Sequence, residues 1–309
     1  MENVNYLNLP NCYKLSNGTV EVIVTTDVGP RIIRYGFPNE ENMLGQVPDS
    51  IIKTELGEWK PFGGHRLWTA PEANPRSYAP DSNPVEYQIE DENSIRLIQQ
   101  AAPPTYIQKE MTVTLDAEGS GLRVHHRLTN RSLWGIDVAP WALTIMNDGG
   151  VVILPQEPYR SWDEYLLPAR QMVLWHYTDL SDPRWNFTKN YITLKAESER
   201  AEPQKIGIAN KQGWAAYHRQ QTLFLKRAAY QEGAVYPDYG SSYEVYTAGS
   251  FIELETLAPI HHLEPEEAAE HVERWNLFRL LERDATQTTT DDVINSLITQ
   301  ISIKDFGSQ

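Results

Sequence analysis

Short runs of alternating apolar and polar residues recur along most of the chain, and they constrain the fold more than any other feature. Successive side chains of a strand point to opposite faces of a sheet, so a period of two predicts half-buried strands. Gly, Pro, Asn or Asp bounds each run, which is typical of strands joined by turns. Such runs predict strands at 19–24, 31–35, 94–98, 106–115, 122–129, 138–146, 205–209, 214–219, 222–227, 242–246, 251–256 and 271–277.

This spacing favours an all-β sandwich or barrel over a βαβ fold. Residues 154–190, rich in Pro, Trp, Tyr and Asp, predict a long irregular excursion, and long ordered loops often carry function. Apolar residues spaced three and four apart over 291–301 predict a short amphipathic helix, with Thr290 or Asp291 as its N-cap. No repeat or linker divides the sequence. We therefore predict one domain over 1–309, with a core of about 18–277 and the helix in a tail, 286–309.

The charge balance narrows the choice of partner. The chain has 27 Lys and Arg against 42 Asp and Glu, a net charge of −15, so nucleic acid is a poor partner. A strongly anionic ligand is also disfavoured, although a local arginine pocket could hold one. The single cysteine, Cys12, cannot form an internal disulfide. No signal peptide or membrane-length apolar run is evident. We expect a cytoplasmic protein without a membrane partner; its oligomeric state stays open.

The densest group of polar and aromatic residues lies at 63–72 (GGHRLWTAPE). Paired glycines let the backbone approach another group closely. His65 can act as an acid or a base near neutral pH, and Arg66 offers a planar fork of donors to hydroxyls or a carboxylate. Trp68 and Glu72 complete a candidate sugar-binding group. An equally good interpretation is a turn with a half-buried Trp68 and an Arg66–Glu72 ion pair.

A second candidate group lies at 251–259 (FIELETLAP). In a strand, Glu253 and Glu255 point to the same face. When two carboxylates lie this close together and are partly buried, their repulsion raises the pKa of at least one of them. A raised carboxyl pKa suits a general base. The alternative is an ordinary amphipathic strand whose acidic face lies in water.

Four further residues are candidates for binding. Asp238 and Glu244 could accept hydrogen bonds from sugar hydroxyls, although Pro-Asp-x-Gly is also a common turn sequence. Residues 174–179 and Arg184, in the excursion, could roof a cleft or simply pack the loop down. His126 follows His125 within one strand, so their rings face opposite sides and cannot bind one metal together.

Several common motifs are missing. The sequence contains no HExxH, no CxxC and no ladder of aspartates, so we predict no metal site. It also lacks GxGxxG, a Walker loop and a GxSxG elbow, which argues against dinucleotide enzymes, phosphate-loop NTPases and serine hydrolases of that type. We expect no cofactor.

Several segments, in this order, resemble galactose mutarotase (aldose 1-epimerase) relatives. Residues 27–37 (DVGPRIIRYGF) are similar to their early strand pair, and 128–132 (LTNRS) to an LTN-x-S strand end. Residues 244–256 contain EVYT and LET, similar to a QVYT…LET pairing. Order and spacing agree from about 18 to 277. The segments GGHRLW-APE and ELETL-P resemble an uncharacterised bacterial branch of this superfamily. Each motif alone is unspecific, and their combined order is more specific.

The resemblance implies a β-supersandwich of two large antiparallel sheets with a sugar cleft on the concave side. Glu255 corresponds to the glutamate that acts as general base on the anomeric hydroxyl. The general-acid histidine of the relatives has no counterpart in residues 139–146 (APWALTIM). His65 or His126 could substitute for it, and Arg66 is similar in position to an arginine that contacts sugar hydroxyls.

Three functions remain open from the sequence. The leading hypothesis is a carbohydrate-binding protein of the mutarotase type that epimerises an aldose or a modified sugar, with Glu255 as base, His65 as acid, and Arg66, Trp68, Glu72 and Glu253 binding the sugar. The missing histidine favours a second, a non-catalytic sugar-binding or sensing module. A polysaccharide lyase or hydrolase is a third.

Overall fold

The computed structural model describes residues 1–280 and 288–300. The strands in the first half of the chain are β1 (Glu2–Tyr6), β2 (Leu9–Ser16), β3 (Glu21–Thr25), β4 (Arg31–Gly36), β5 (Gln46–Val47), β6 (Ile52–Thr54), β7 (Gly57–Trp59), β8 (Phe62–Gly63), β9 (His65–Ala70), β10 (Glu86–Asp91), β11 (Ser94–Gln99), β12 (Ile107–Leu115), β13 (Leu122–Asn130), β14 (Ile136–Met146) and β15 (Val151–Pro155).

The described part of the second half contains the remaining strands and two short helical segments. They are β16 (Met172–Leu174), β17 (Trp185–Phe187), β18 (Tyr191–Lys195), β19 (Gln204–Ile208), β20 (Trp214–Arg219), β21 (Thr222–Ala228), α1 (Pro237–Gly240), β22 (Tyr243–Ala248), β23 (Phe251–Leu257), β24 (His261–Leu263), β25 (Ala268–Arg279) and α2 (Asp291–Thr299). Every strand that the alternation predicts is present, with end shifts of a few residues.

Two large antiparallel sheets contain most of these strands, which confirms the predicted all-β sandwich. The first sheet has eleven strands, in the order β1-β2-β3-β4-β9-β14-β23-β22-β19-β16, with β24 also paired to β14. The second has ten, in the order β10-β11-β12-β13-β25-β21-β20-β15-β18-β17. The pairs β5–β8 and β6–β7 stand apart. The hairpin β1–β2 extends the first sheet to residues before the predicted core.

The main core lies between the two sheets, and alternation decides which side chains enter it. Along β13, Leu122, Val124 and Leu128 are buried in this core, and Leu67 and Leu254 enter it from the first sheet. The side chains at the alternate positions of β13 point the other way. In the first sheet the outward face is also partly apolar and has its own cluster of tryptophans. This outer cluster forms the floor of the candidate site.

The excursion and the tail are more ordered than a plain loop. The three-residue strands β16 and β17 lie within residues 154–190. β16 is an edge strand of the first sheet, and β17 is an edge strand of the second. The N-cap of α2 is Thr290, whose side chain accepts a hydrogen bond from the Val293 amide. Ile294 and Leu297 bury the apolar face of α2 against the second sheet. Ile301, placed in this helix from the sequence, lies outside the described residues, as does much of the predicted tail. Among the described helices, none is long and apolar enough to cross a membrane.

Candidate functional site

A cleft of about 370 Å³ opens on the outer face of the first sheet. We call it the aromatic cleft. The hairpin β6–β7, the β9–β10 connection and the excursion contribute its walls. Its rings and polar groups are Trp59, Trp68, Tyr78, Trp141, Trp175, Tyr177, Tyr246, Phe251, Arg66, Glu72, Lys205 and Glu253. A cleft of this size, mainly aromatic with a few polar groups, is typical of small-molecule sites.

Strand register explains why residues far apart in sequence meet here. β9, β14, β23 and β22 are neighbours in the first sheet. Arg66 on β9 and Glu255 on β23 both pair with Leu143 of β14, from opposite sides. Glu244 on β22 lies directly opposite Glu255. These side chains share one face, since period-two alternation holds along each strand.

The glycine pair that precedes β9 allows this register. Gly64 has a φ of +66°, and a Cβ atom there would lie 2.1 Å from the Ile32 carbonyl oxygen. The Gly64 carbonyl accepts a hydrogen bond from the Ile145 amide at 2.9 Å. Only glycine combines this φ with so close an approach, so the predicted role of the paired glycines is confirmed at Gly64.

Arg66 is held in the cleft by a carboxylate and two indole rings. Its Nη2 donates to Glu253 Oε1 at 2.8 Å. Its guanidinium carbon lies 4.6 Å from the centre of the Trp68 ring and 5.3 Å from that of Trp59. Its Nε and Nη1 atoms are buried and have no hydrogen-bond partner among the described residues. The Arg66–Glu72 ion pair considered from the sequence is not formed; Glu72 instead accepts a hydrogen bond from the Tyr78 hydroxyl.

Lys205 forms the second charged group. Its Nζ lies 2.7 Å from Glu244 Oε2 and 3.1 Å from Glu255 Oε2. The ammonium also stacks between two rings, 4.8 Å from the centre of Trp141 and 4.7 Å from that of Trp175. Trp141 Nε1 donates to Glu255 Oε2 at 2.8 Å. One lysine thus pairs with two buried carboxylates and is itself enclosed by aromatic rings.

Burial shapes the acid–base properties of this group. Burial raises the pKa of Glu255, and Lys205 opposes that rise. Burial also raises the pKa of Glu244 well above its usual range, again against the effect of Lys205. For Lys205, burial lowers the pKa, but the two carboxylates outweigh it and hold the pKa well above normal. The lysine therefore stays charged.

The phenols of the cleft are protonated hydrogen-bond donors at neutral pH. Burial raises the pKa of Tyr78, and its bond to Glu72 adds to the rise. Burial likewise raises the pKa of Tyr177 and of Tyr246. The cleft can therefore offer hydroxyl and N–H donors beside carboxylate acceptors.

The structure brings together part of the predicted site. Arg66, Trp68, Glu72 and Glu253 line the cleft. Glu253 and Glu255 share one face of β23, as predicted, while Ile252 and Leu254 point into the core. Glu255 and Glu244, however, lie beneath the cleft surface and are fully buried. Lys205 and Trp141, which both contact Glu255, line the cleft.

His65 lies on the other side of the sheet. Since it precedes Arg66 in the same strand, its ring points between the two sheets, where it is fully buried. The predicted arrangement of His65 facing Glu255 across a sugar is therefore not the one observed. His126, the other proposed acid, is also buried between the sheets, 2.7 Å from His65 between their Nε2 atoms. His125 points outward, which confirms that the two neighbouring histidines face opposite sides.

His65 and His126 belong to a buried polar network rather than to the cleft. His65 Nδ1 bonds to Thr144 at 2.8 Å, and Lys226 Nζ lies 2.6 Å from the same hydroxyl and 2.9 Å from Glu273. Burial lowers the pKa of His65 well below normal and that of His126 to about 3. Both rings are therefore neutral and are poor proton donors.

This network also contains residue types that ligate metals. Ligand atoms of His65, His126 and Glu273 lie within 4.8 Å of one another. The two rings are already hydrogen-bonded to each other, and the Lys226 ammonium already supplies the positive charge beside Glu273. The arrangement is that of a satisfied hydrogen-bond network between sheets.

The last two predicted binding residues lie elsewhere. Arg184 is fully buried, pairs with Asp182 at 2.8 Å and donates to the carbonyls of Arg200 and Glu202, so it holds loops together. Asp238 lies in the α1 turn, outside the residues that line the cleft. Its charge reaches the site only indirectly, by raising the pKa of Glu244 in addition to burial.

Sequence reasoning missed the two groups that organise the cleft, Lys205 and Trp141. The signal for Lys205 was present but weak, as a single cation within the apolar run Lys205-Ile206-Gly207-Ile208. Trp141 lies in residues 139–146, the segment that lacks the general-acid histidine of the relatives. Its indole N–H donates to the Glu255 carboxylate. Trp175 and Tyr177 line the cleft, so the roof considered for residues 174–179 is the arrangement observed.

The sheets and the cleft define a class of protein: large antiparallel β-sandwiches that carry an aromatic and polar cleft on the outer face of one sheet. No protein-family model matches the sequence, and no curated protein matches it in sequence. Solved structures do match in fold.

The solved structures identify the fold more closely. A candidate aldose 1-epimerase from Escherichia coli K12 matches with a TM-score of 0.55 and 12% identity, over 87% of this chain and 99% of that one. A galactose mutarotase-like protein from Lactobacillus casei gives 0.54 and 11%, over 87% and 100%. A TPR-domain containing protein from Parabacteroides distasonis gives 0.58 and 14%, over 90% of this chain and 48% of that one. The fold is that of galactose mutarotase-like proteins.

Proposed function

We propose that this protein binds an uncharged carbohydrate in the aromatic cleft. The observation that carries the proposal is the set of unpaired donors among its rings. Arg66 Nε and Nη1 and Trp68 Nε1 are buried, and no described residue gives them a hydrogen-bond partner. Buried donors are costly when unpaired, so they favour a ligand that accepts hydrogen bonds. A sugar supplies hydroxyl oxygens for these donors and C–H faces for the rings.

The charges of the cleft favour an uncharged sugar. The two cations that line it, Arg66 and Lys205, are both paired to carboxylates. An anionic sugar would have to displace Glu253 or approach Glu72, and like charges repel in a partly desolvated site. Sugar hydroxyls can instead bridge Glu72, Glu253 and the free Arg66 donors.

Binding is tested by titrating a panel of common aldoses into the protein. Four of its tryptophans line the cleft, so a bound sugar should change the intrinsic fluorescence, and calorimetry gives the affinity. Arg66→Met should weaken binding by about tenfold or more, because hydrogen bonds from a charged donor are lost. The matched control is Arg274→Met, since Arg274 forms an exposed pair with Asp116. If no sugar in the panel binds, or if both variants bind alike, the proposal fails.

Epimerisation of the bound sugar is a second candidate. The observation in its favour is that the Glu253 carboxylate and the phenols of Tyr78 and Tyr246 face one cleft. Mutarotation needs a base for the anomeric hydroxyl proton and a donor for the ring oxygen. No histidine lines the described cleft, so a phenol would have to be the donor. Glu255, the base that the resemblance implies, would reach the sugar only after Lys205 moves.

NMR exchange between the anomers of each sugar tests this second candidate. Faster exchange with the protein than in buffer, lost in Glu253→Gln or Glu255→Gln, would support an epimerase and would identify its base. Binding without any faster exchange would leave a non-catalytic sugar-binding or sensing module.

A further inference from the structure

A second cavity, of about 240 Å³, opens at one end of the sandwich. We call it the end cavity. Thr69 of β9 lines it from the first sheet, and Lys109 of β12 lines it from the second. The loops around Arg76 and around residues 99–105 form the rest of the wall. No carboxylate is among the described residues that line it.

Lys109 is placed where an apolar residue would be expected. Its neighbours on the same face of β12, Ile107, Met111 and Val113, are buried in the main core. Lys109 itself is only 7% exposed. Within residues 1–280 and 288–300, its ammonium has no hydrogen bond and no ion pair. Burial lowers its pKa, and Asp81 opposes this only in part.

Asp81 is already paired with another cation. Its Oδ1 accepts from Arg31 at 2.7 Å and from Trp59 Nε1 at 3.1 Å. Burying an ammonium without a partner is expensive. Such a group is expected to reach water through the cavity mouth, to lose its proton, or to bind an anion.

Further donors line the same cavity. Arg76 donates to the Pro71 carbonyl through Nη2, while its Nε is buried without a partner in the described part of the chain. Thr69 Oγ1 is also buried and has no hydrogen-bond partner within residues 1–280 and 288–300. The residues that line this space therefore carry two cations and a buried hydroxyl, in a chain whose net charge is −15.

We propose that the end cavity binds a small oxyanion, such as phosphate or sulfate, between Lys109 and Arg76. The volume accommodates such an ion, and the free groups supply a compact cation, a planar N–H donor and a hydroxyl. The ion would provide the negative charge that Lys109 lacks.

The end cavity and the aromatic cleft share one segment of chain. Glu72 and Tyr78 of the β9–β10 connection line the cleft, while Arg76, Ala79 and Pro80 of the same connection line the end cavity. A bound oxyanion would thus hold the segment that forms one wall of the cleft. The oxyanion site does not depend on sugar binding, and the two proposals can fail separately.

Calorimetry and thermal unfolding with phosphate, against chloride at equal ionic strength, test the site. Phosphate and sulfate also stabilise proteins without a site, so the comparison between variants carries the test. Lys109→Met should weaken phosphate binding by about tenfold or more and remove the extra gain in Tm. Lys109→Arg should keep both. The matched control is Lys14→Met, because Lys14 forms a more exposed pair with Glu2.

Arg76→Met gives a second variant if Lys109→Met does not fold, and it too should weaken binding. Competition by glucose 6-phosphate distinguishes a phosphorylated ligand from the free ion, and either source supports an oxyanion site. Two results would overturn it: no saturable phosphate binding to the wild type, or equal binding by the wild type and the folded variants.

Discussion

Replacing Lys205 by methionine would leave two buried carboxylates without their cation. Glu244 and Glu255 are both fully buried, and Lys205 Nζ lies 2.7 and 3.1 Å from them. Removing one partner of a buried ion pair costs about 3–5 kcal/mol. A domain is usually stable by about 5–15 kcal/mol, so the Lys205→Met variant should fold but with much of its stability lost.

The loss should depend on pH in a defined direction. Burial already raises the pKa values of Glu244 and Glu255 in the wild type, and Lys205 lowers both. Without Lys205 these folded-state values rise further above those of the unfolded chain. The folded variant then retains protons that the unfolded chain has released, so its free energy of unfolding falls as the pH rises. The variant should lose more stability at pH 8 than at pH 5.

Urea unfolding at the two pH values measures this effect. The double variant Lys205→Met with Glu255→Gln should recover part of the loss, because one unpaired carboxylate is gone. The control is Lys211→Met, whose exposed pair with Glu232 should contribute little at either pH. A loss below about 1 kcal/mol at pH 8, within the range of exposed pairs, would refute the reasoning, as would a loss that is the same at both pH values.

Three further predictions concern the cleft wall, the buried histidines and the glycine before β9. Tyr177→Ala should weaken sugar binding by about 2- to 10-fold at nearly constant stability, since Tyr177 is 41% exposed. Burial lowers the pKa of His126 in the folded protein to about 3. Below pH 6.5 the unfolded chain takes up a proton that the folded protein does not, so the free energy of unfolding falls by about 1.4 kcal/mol per pH unit. His126→Gln should flatten urea-derived stability between pH 6.5 and 4, and His125→Gln should not. Gly64→Ala should cost more than Gly149→Ala in urea unfolding. At both positions φ is positive, which costs an alanine about 1–2 kcal/mol. Of the two sites, only that of Gly64 is also crowded.

Each of these predictions has an opposing result. Unchanged sugar affinity in Tyr177→Ala would remove that ring from the binding surface. An acid profile of His126→Gln that matches the wild type would mean that this ring is not held neutral. Equal losses in Gly64→Ala and Gly149→Ala would leave no cost for the approach to the Ile32 carbonyl.

Alternation along single strands was enough to predict much of the architecture. It predicts that Glu253 and Glu255 share a face and that His125 and His126 do not, because the side-chain period of a strand is two. It also predicts the succession of short strands and turns along the chain that is typical of an all-β sandwich. The prediction of two large sheets came from the resemblance to galactose mutarotase relatives.

Alternation alone cannot say which face of a strand turns inward. His65 and Arg66 must point to opposite sides, yet either could have entered the cleft. The structure turns Arg66 toward the cleft and His65 into the core, because Leu67 faces the second sheet with His65. The proposal of His65 as the acid rested on residue type, and the orientation of the whole strand decided against its reaching the cleft.

Tertiary structure also decided which charges meet. Lys205, Glu244 and Glu255 come from β19, β22 and β23, and their ion pairs depend on sheet order and register. A local pattern contains no information on such long-range pairings, since a shift of one residue would turn every side chain to the other face. The sequence by itself therefore determined the sandwich and which residues of each strand share a face. Only the packing of the strands determined that one lysine pairs with two carboxylates beneath the cleft, and that Lys109 has no partner among the described residues.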